Sequence, residues 1–445
     1  METLSRDETV ALRKKHVASC VELFFNDDPL KIVKGVGQYM FDEKGNKYLD
    51  CINNVAHVGH CHPHVVKCAS EQMSLLETNS RFLHDNLVIY GKRITQYLPK
   101  ELQICFFTNS GSESNDLAMR IARRISGGYD VIVLDHAYHG HLTNLVSISP
   151  YKFAHPSGDG KQEWVHVAPV PDSYRGKYRS SEYSEDEISE LYFQEVVKLV
   201  ENAEKSGRKI CLFYAESLQS CGGQIVYPKN YLKKCYQYLQ PKGILCLADE
   251  VQTGFYRTGS HMWGFQSQGE DLIPDFVTIG KSMGNGHPVS CLVTQTSHAQ
   301  KFGEKGLKYF NTYGGNPVSM AVANAVLDVI EKEKLHTHVH EVSTYLLNEL
   351  ERLKQKHEII GDVRGYGYFI GIDLVKNRQT REPAIESARI VLRAMRDAFI
   401  LLSLDGPYSN VLKIKPPLCF NMDNAKLLIE TFDRILADLK LKAQL

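Results

Sequence analysis

The sequence predicts an α/β protein: a large domain on a mainly parallel sheet, joined to a smaller α+β domain built from both chain ends. Three observations predict it. Short apolar runs recur at 102–108, 130–134, 209–215, 243–248 and 276–279, separated by segments of helix length. Strand–helix–strand connections of this kind are right-handed and set successive strands parallel. Each run then breaks into a polar or glycine-rich stretch with reactive side chains, and in open parallel sheets ligands bind beyond the strands' carboxyl ends. Past residue 354 the pattern changes to an alternating stretch, Val363–Asp373, and a last strand at 411–415 before a final helix. The boundaries read as 1–60 for an N-terminal segment packing with the small domain, 61–330 for the large domain and 331–445 for the C-terminal part.

Composition narrows the class. The 445 residues suffice for a large core, and 43% hydrophobic with 23% charged residues is the balance of a soluble globular protein. The 52 basic and 52 acidic residues cancel, so no global field draws nucleic acid or anionic membrane. No apolar run approaches the roughly 20 residues of a membrane helix. The 11 cysteines are odd in number and without paired spacing, and read as reduced, buried thiols of an intracellular protein. Arg13, Lys14 and Lys15 near the N-terminus are accompanied by Asp7 and Glu8, which breaks the acid-poor pattern of a transit peptide.

Taken in order, residues 1 to about 30 open with a polar, helix-compatible segment, and Val33–Asp50 reads as a hairpin turning at Asp42-Glu-Lys-Gly-Asn. His57, His60, Cys61, His62 and His64 then crowd one Gly/Pro loop. Their spacing matches no closed zinc pattern, and no metal is expected there. Leu102–Asn109 reads as a strand feeding Ser110-Gly111-Ser112, a turn opening a helix. Backbone N–H groups converging at a helix start favour an anion, although an ordinary N-cap explains the same residues locally. Asp130–Leu134 is a strand ending at Asp135-His-Ala-Tyr138-His139, and 151–190 is polar and Gly/Ser/Tyr-rich, an irregular excursion before a helix around Leu191–Ala203. Lys209–Ala215 leads to Glu216-Ser-Leu-Gln-Ser-Cys221, and a long helical stretch spans Pro317 to about Lys354. Gly365 and Gly367 precede a strand rather than a helix, so they are no dinucleotide fingerprint.

Two strands end in chemistry. Gly243-Ile-Leu-Cys-Leu-Ala ends on Asp249, and Phe276-Val-Thr-Ile-Gly ends on Lys281, 32 residues later. A strand-end lysine among glycines can lose hydration, which lowers its amine pKa and lets it form a Schiff base with a carbonyl compound. Pyridoxal phosphate needs such a lysine for its aldehyde and a carboxylate for its pyridine nitrogen. Asp249 and Lys281 are the expected catalytic pair.

With these motifs in this order, the chain from about Pro29 to Phe420 resembles the class III pyridoxal phosphate aminotransferases of fold type I. That resemblance implies a seven-stranded large-domain sheet and pyridoxal 5′-phosphate as cofactor. It assigns the phosphate to Ser110, Gly111 and Ser112, the ring to Tyr138 with His139 beside it, and further cofactor contacts to Glu216 and Gln252. It also implies that Thr312, in Tyr309-Phe-Asn-Thr-Tyr-Gly-Gly, reaches the cofactor phosphate of the other subunit. A homodimer, possibly a tetramer, follows. Its eukaryotic members imply mitochondria, with cytoplasm as the alternative.

The match departs where substrate is gripped. Lys413 stands where the family places a carboxylate-binding arginine, and Cys221 where a gating glutamate occurs in some members. An ammonium cannot copy the bidentate guanidinium fork, but it attracts phosphate, and two-residue spacing sets Lys415 on the same strand face. Asn53-Asn-Val-Ala-His, Thr78-Asn-Ser-Arg81, Asp135-His-Ala-Tyr-His-Gly-His and Asp405-Gly-Pro most resemble the alanine-glyoxylate aminotransferase 2-like subgroup of phospho-lyases. The expected function is removal of phosphate and ammonia from phosphoethanolamine or 5-phosphohydroxylysine, with Lys413, Arg81 and Asn54 contacting substrate. An ω-aminotransferase using pyruvate or glyoxylate is the alternative reading.

Overall fold

A computed structural model describes residues 3–306 and 308–443. The first helix, Arg6–His16, is closed by a capping box in which Ser5 and Glu8 satisfy each other's backbone N–H groups. Strands β1 (Ile32–Val36), β2 (Tyr39–Asp42) and β3 (Lys47–Asp50) follow as a meander, the expected hairpin with one strand added in front.

The large sheet comprises β4 (Leu102–Thr108), β5 (Asp130–Leu134), β6 (Val165–Ala168), β7 (Ile210–Glu216), β8 (Leu245–Asp249), β9 (Phe276–Ile279) and β10 (Ser290–Gln295). Their order is β4-β10-β9-β8-β7-β5-β6. Pairs β5–β6, β5–β7, β7–β8 and β8–β9 are parallel, whereas β10 runs antiparallel to both β9 and β4. A sheet covered on both faces needs uninterrupted apolar strands. β5, β7 and β9 are buried along their whole length, which is why they were legible as runs. β6 was not: it lies inside the stretch read as irregular, has four residues, and at the sheet edge only its first and last are buried. The helix after that stretch also begins earlier than expected, at Glu185, on a Ser184–Glu187 capping box.

Helix Gly111–Ser126 crosses one face of the sheet, burying Leu117, Ala118, Ile121, Ala122 and Ile125. That spacing is one stripe of a 3.6-residue helix. Burying each such leucine or isoleucine side chain contributes roughly 1.5–3 kcal/mol. Gly127 ends the helix in the left-handed region at φ 68°.

The remaining strands are β11 (Ile360–Tyr366), β12 (Phe369–Asn377), β13 (Glu382–Pro383), β14 (Ile400–Leu401), β15 (Ser403–Asp405) and β16 (Val411–Ile414). β14 pairs in parallel with β3, so the N-terminal meander and the C-terminal part share one four-stranded sheet. The other five form a second sheet, β11-β12-β16-β15 with β13 beside β12. The alternating stretch 363–373 is thus not one strand but the two arms of a hairpin. Gly367 turns it at φ +56°, where a Cβ would run into the backbone of Arg257 and Thr258. The long stretch 317–354 is likewise two helices, Pro317–Lys332 and Leu335–Lys356, parted at Lys334, whose φ is +50°.

The crowded histidines diverge to separate partners. His57 bonds the Phe255 carbonyl at 2.7 Å, His60 meets Asp50 at 2.7 Å, His62 meets Glu333 at 2.9 Å and His64 meets Asp328 at 3.0 Å. All the cysteines are free thiols; Cys51, Cys211, Cys235, Cys246 and Cys291 are buried as expected, but Cys20 and Cys61 are exposed. Among the described residues no helix is long and apolar enough to cross a membrane.

Candidate active site

A cavity of about 350 Å³ opens at the carboxyl ends of the parallel strands. It gathers side chains or backbone of Ser110, Gly111, Ser112, Tyr138, His139, Glu216, Asp249, Gln252 and Lys281, residues that the sequence places in five separate segments. Gly280 leaves β9 in extended conformation, and Lys281 then takes φ +36°, a left-handed backbone that costs a lysine about 1–3 kcal/mol. Burial lowers the pKa of its amine, opposed by the Cys221 thiol and the carboxylates of Asp249 and Glu216. A depressed pKa keeps more of the amine neutral and nucleophilic.

Asp249 ends β8 and is buried with its orientation fixed from two sides. Its Oδ2 accepts from Asn115 Nδ2 at 2.8 Å and meets His139 Nδ1 at 2.9 Å, while Oδ1 accepts from the Val251 N–H at 3.2 Å. Asn115 was not singled out from sequence; its place one helical turn after Ser112, on the buried side of the Gly111–Ser126 helix, was the available signal.

Ser110 caps that helix, its Oγ accepting from the Glu113 N–H at 3.2 Å. The first-turn N–H groups of a helix have no intrahelical acceptor and carry the positive end of its dipole. Here they line the cavity, and the close approach depends on glycine: a Cβ on Gly111 would meet Val251 Cγ2 at 2.7 Å. Glu216 staples two loops, accepting from Tyr138 N at 3.1 Å and Ser220 N at 3.0 Å. Burial raises its pKa, and the Asp249 carboxylate adds to the rise. The Tyr138 ring lines the cavity and packs edge-on against Tyr151, with ring centres 5.9 Å apart.

Gln252 connects the cavity to the C-terminal part. Its Oε1 accepts from Asn54 Nδ2 at 2.7 Å and from Lys415 Nζ at 3.1 Å. Lys415 is fully buried, donates also to Ser220 Oγ at 2.7 Å and lies 4.1 Å from the centre of the Phe369 ring. Burial holds its amine well below the ordinary lysine range, with Lys413 pushing the same way.

The expected substrate residues stand differently. Lys413 is tied to Asp405 at 2.7 Å, so its charge is already balanced, and it does not line the cavity. Lys415 follows the end of β16 rather than continuing its face, and its partners are Ser220 and Gln252. Cys221 is half-buried, and burial, with Asp405 beside it, pushes its thiol up to about 12. Arg81 is exposed, its guanidinium 4.1 Å from the Phe310 ring centre, and Thr312 is exposed too; within one chain neither reaches the cavity.

These features fit a phosphorylated pyridine aldehyde: an amine for the aldehyde, a braced carboxylate for a ring nitrogen, and helical N–H groups for a phosphate. The family profile described as Aminotransferase class-III matches residues 25–436. An alanine–glyoxylate aminotransferase 2-like protein of Drosophila melanogaster is 52% identical over 425 residues, 95% of this chain and 86% of that protein. Ethanolamine-phosphate phospho-lyase homolog 1 of Caenorhabditis elegans is 44% identical, covering 97% and 94%. A solved phospholyase from Arthrobacter in complex with phosphoethanolamine superposes with a TM-score of 0.91 at 34% identity, over 96% of this chain and 99% of that one. The chain therefore belongs to the class III aminotransferase family, enzymes that work with pyridoxal phosphate.

Proposed function

We propose that this enzyme is a phospho-lyase that converts a phosphorylated primary amine, phosphoethanolamine or 5-phosphohydroxylysine, into an aldehyde, ammonia and phosphate. One observation carries the choice of lyase over aminotransferase. At the position where the family grips a keto acid's carboxylate with an arginine, this chain has Lys413, and that lysine is paired with Asp405 at 2.7 Å. A keto acid acceptor needs its carboxylate gripped, and a guanidinium fork is the group that does so bidentately. The Caenorhabditis relative's name and the Arthrobacter complex support the same reading.

Lys281 would hold the cofactor through its amine. The bound cofactor supplies an electron sink that acidifies the carbon next to the substrate nitrogen. Asp249, braced by Asn115 and His139, would keep the cofactor's ring nitrogen protonated. The helix end at Ser110–Ser112 would hold the cofactor phosphate, and Tyr138 would pack against the ring. Lys281, its amine pKa lowered by burial, would take the proton from that carbon. The phosphate then leaves from the neighbouring carbon with the electron pair of its C–O bond, and water converts the remaining enamine to aldehyde and ammonia. The substrate phosphate would have to draw Lys413 away from Asp405 to be held by it, Arg81 would reach the phosphate-bearing end from the partner chain, and Asn54 would contact substrate from its place beside Gln252.

The working unit in this reading is a homodimer in which Thr312 and Arg81 of one chain serve the cavity of the other. Exposed Phe82, Leu83, Phe310 and Tyr313 beside these two residues supply apolar surface for such a contact. The β3–β14 pairing supports assigning residues 1–60 to the small domain beside 331–445. Mitochondria are the proposed compartment, after the relatives. The test is incubation of the holoenzyme with phosphoethanolamine: equal amounts of phosphate, ammonia and acetaldehyde support the lyase. Accumulation of pyridoxamine phosphate without phosphate release makes the enzyme an aminotransferase instead.

A further inference from the structure

A second cavity, of about 370 Å³, lies where segment 172–179, the turn before β13 and the 405–408 loop meet, and three of its lining residues are Arg175, Arg179 and Arg381. Like charges gathered in a half-buried pocket are unfavourable unless something balances them. The chain balances one. Arg175 forks onto the buried Asp373, Nε to Oδ2 at 2.7 Å and Nη2 to Oδ1 at 2.6 Å, and Arg364 reaches the same carboxylate at 3.5 Å. Glu382 also lines the cavity, but its carboxylate is taken by Lys376 at 2.6 Å.

Among the described residues, Arg179 and Arg381 have neutral partners only. Arg179 Nε donates to the Gly176 carbonyl at 3.0 Å, and Arg381 Nη2 donates to Ser181 Oγ at 3.0 Å. Among the described residues Arg381 Nη1, shielded from solvent, has no partner, and the residue is held at φ +58°. An unpaired buried donor on a charged group is costly, so an acceptor that reached it from the cavity would stabilise the site. The Tyr174 ring centre lies 5.1 Å from the Arg381 guanidinium, which limits where that group can swing.

We propose that this cavity is an accessory anion site that takes a phosphate group, as inorganic phosphate or a small phosphate monoester. Two planar guanidiniums with free donors match tetrahedral phosphate oxygens, and a third, already neutralised, fixes the wall. Tyr408 joins this cavity to a smaller one of about 100 Å³ lined by Arg175, Arg364 and Gly222. The site thus sits one loop away from Asp405, the partner of Lys413.

The test is arginine modification by phenylglyoxal on wild-type holoenzyme, mapped by peptide mass, with and without millimolar inorganic phosphate or ethyl phosphate. Phosphate is expected to slow modification of Arg179 and Arg381 roughly tenfold, the worth of one charge-assisted bond, with exposed Arg352 unaffected. Protection by inorganic phosphate alone assigns the free anion, and protection by both assigns monoesters as well. Protection by neither overturns the site. In equilibrium dialysis with labelled phosphate, Arg179→Gln/Arg381→Gln holoenzyme should bind one fewer phosphate per chain than wild type at unchanged turnover of phosphoethanolamine; equal stoichiometry would also overturn it.

Discussion

Asp249→Asn separates the structural work of this residue from its chemical work. The wild-type carboxylate receives two side-chain donors on Oδ2, Asn115 at 2.8 Å and His139 at 2.9 Å, and the Val251 N–H on Oδ1 at 3.2 Å. An amide can keep its oxygen toward the first two only by turning its NH₂ toward Val251, donor against donor. One buried bond lost this way costs about 1–3 kcal/mol. With an unfolding entropy of about 2.1 cal/mol/K per residue, a loss of about 2 kcal/mol lowers the melting midpoint of this 445-residue chain by only about 2 °C. The chemical effect is far larger, because a neutral amide cannot hold a ring nitrogen protonated. Each pKa unit of lost ring basicity is about 1.4 kcal/mol, so a loss of two or more units slows proton abstraction about a hundredfold or beyond. The assay pairs a melting curve with phosphate release from phosphoethanolamine at saturating cofactor. A variant that is folded and loaded yet retains more than a tenth of wild-type turnover would refute the assignment of Asp249 to the ring nitrogen.

Lys281→Ala should abolish the visible absorbance of bound cofactor together with turnover; in the wild-type apoprotein, burial depresses the amine pKa, so cofactor uptake should rise with pH and level off below the ordinary lysine range. Lys413→Ala leaves the Asp405 carboxylate with Gln224 Nε2 at 3.1 Å as its side-chain donor, and should cost about 1–3 kcal/mol, less than the 3–5 of a fully buried pair. The same variant should raise KM for phosphoethanolamine in a salt-dependent way, while Lys413→Arg should weaken phosphate release with little gain in transamination. A gain in transamination without that loss would count against Lys413 as a phosphate residue. Thr312→Ala should weaken cofactor retention by about 1.5–3 kcal/mol, measured by dialysis. Dimers mixing a Thr312→Ala chain with a Lys281→Ala chain should retain one wild-type-like site; loss of activity at both sites would place Thr312 in its own chain's cavity.

What the sequence determined is the part written in local, one-dimensional signals. Strands buried on both faces must be apolar throughout, so β5, β7, β8 and β9 stand out as runs, and the residues that follow them, Asp249 and Lys281 above all, are marked by position alone. Ser110 before a helix is equally local, because capping is a matter of one side chain and the turn after it. Tertiary structure decided what depends on distant partners. A strand of four residues at the sheet edge, β6, carries too little apolar pattern to announce itself, and β10 reverses direction only because a short loop after Lys281 turns the chain back between β9 and β4. The state of each cation was likewise hidden: Lys413 and Lys415 are two residues apart and alike on paper. One is paired by Asp405 eight residues upstream, and the other is buried against Ser220 and Gln252 from distant segments. A charge's worth is set by its desolvation and its neighbours in space, and no spacing along the chain encodes either.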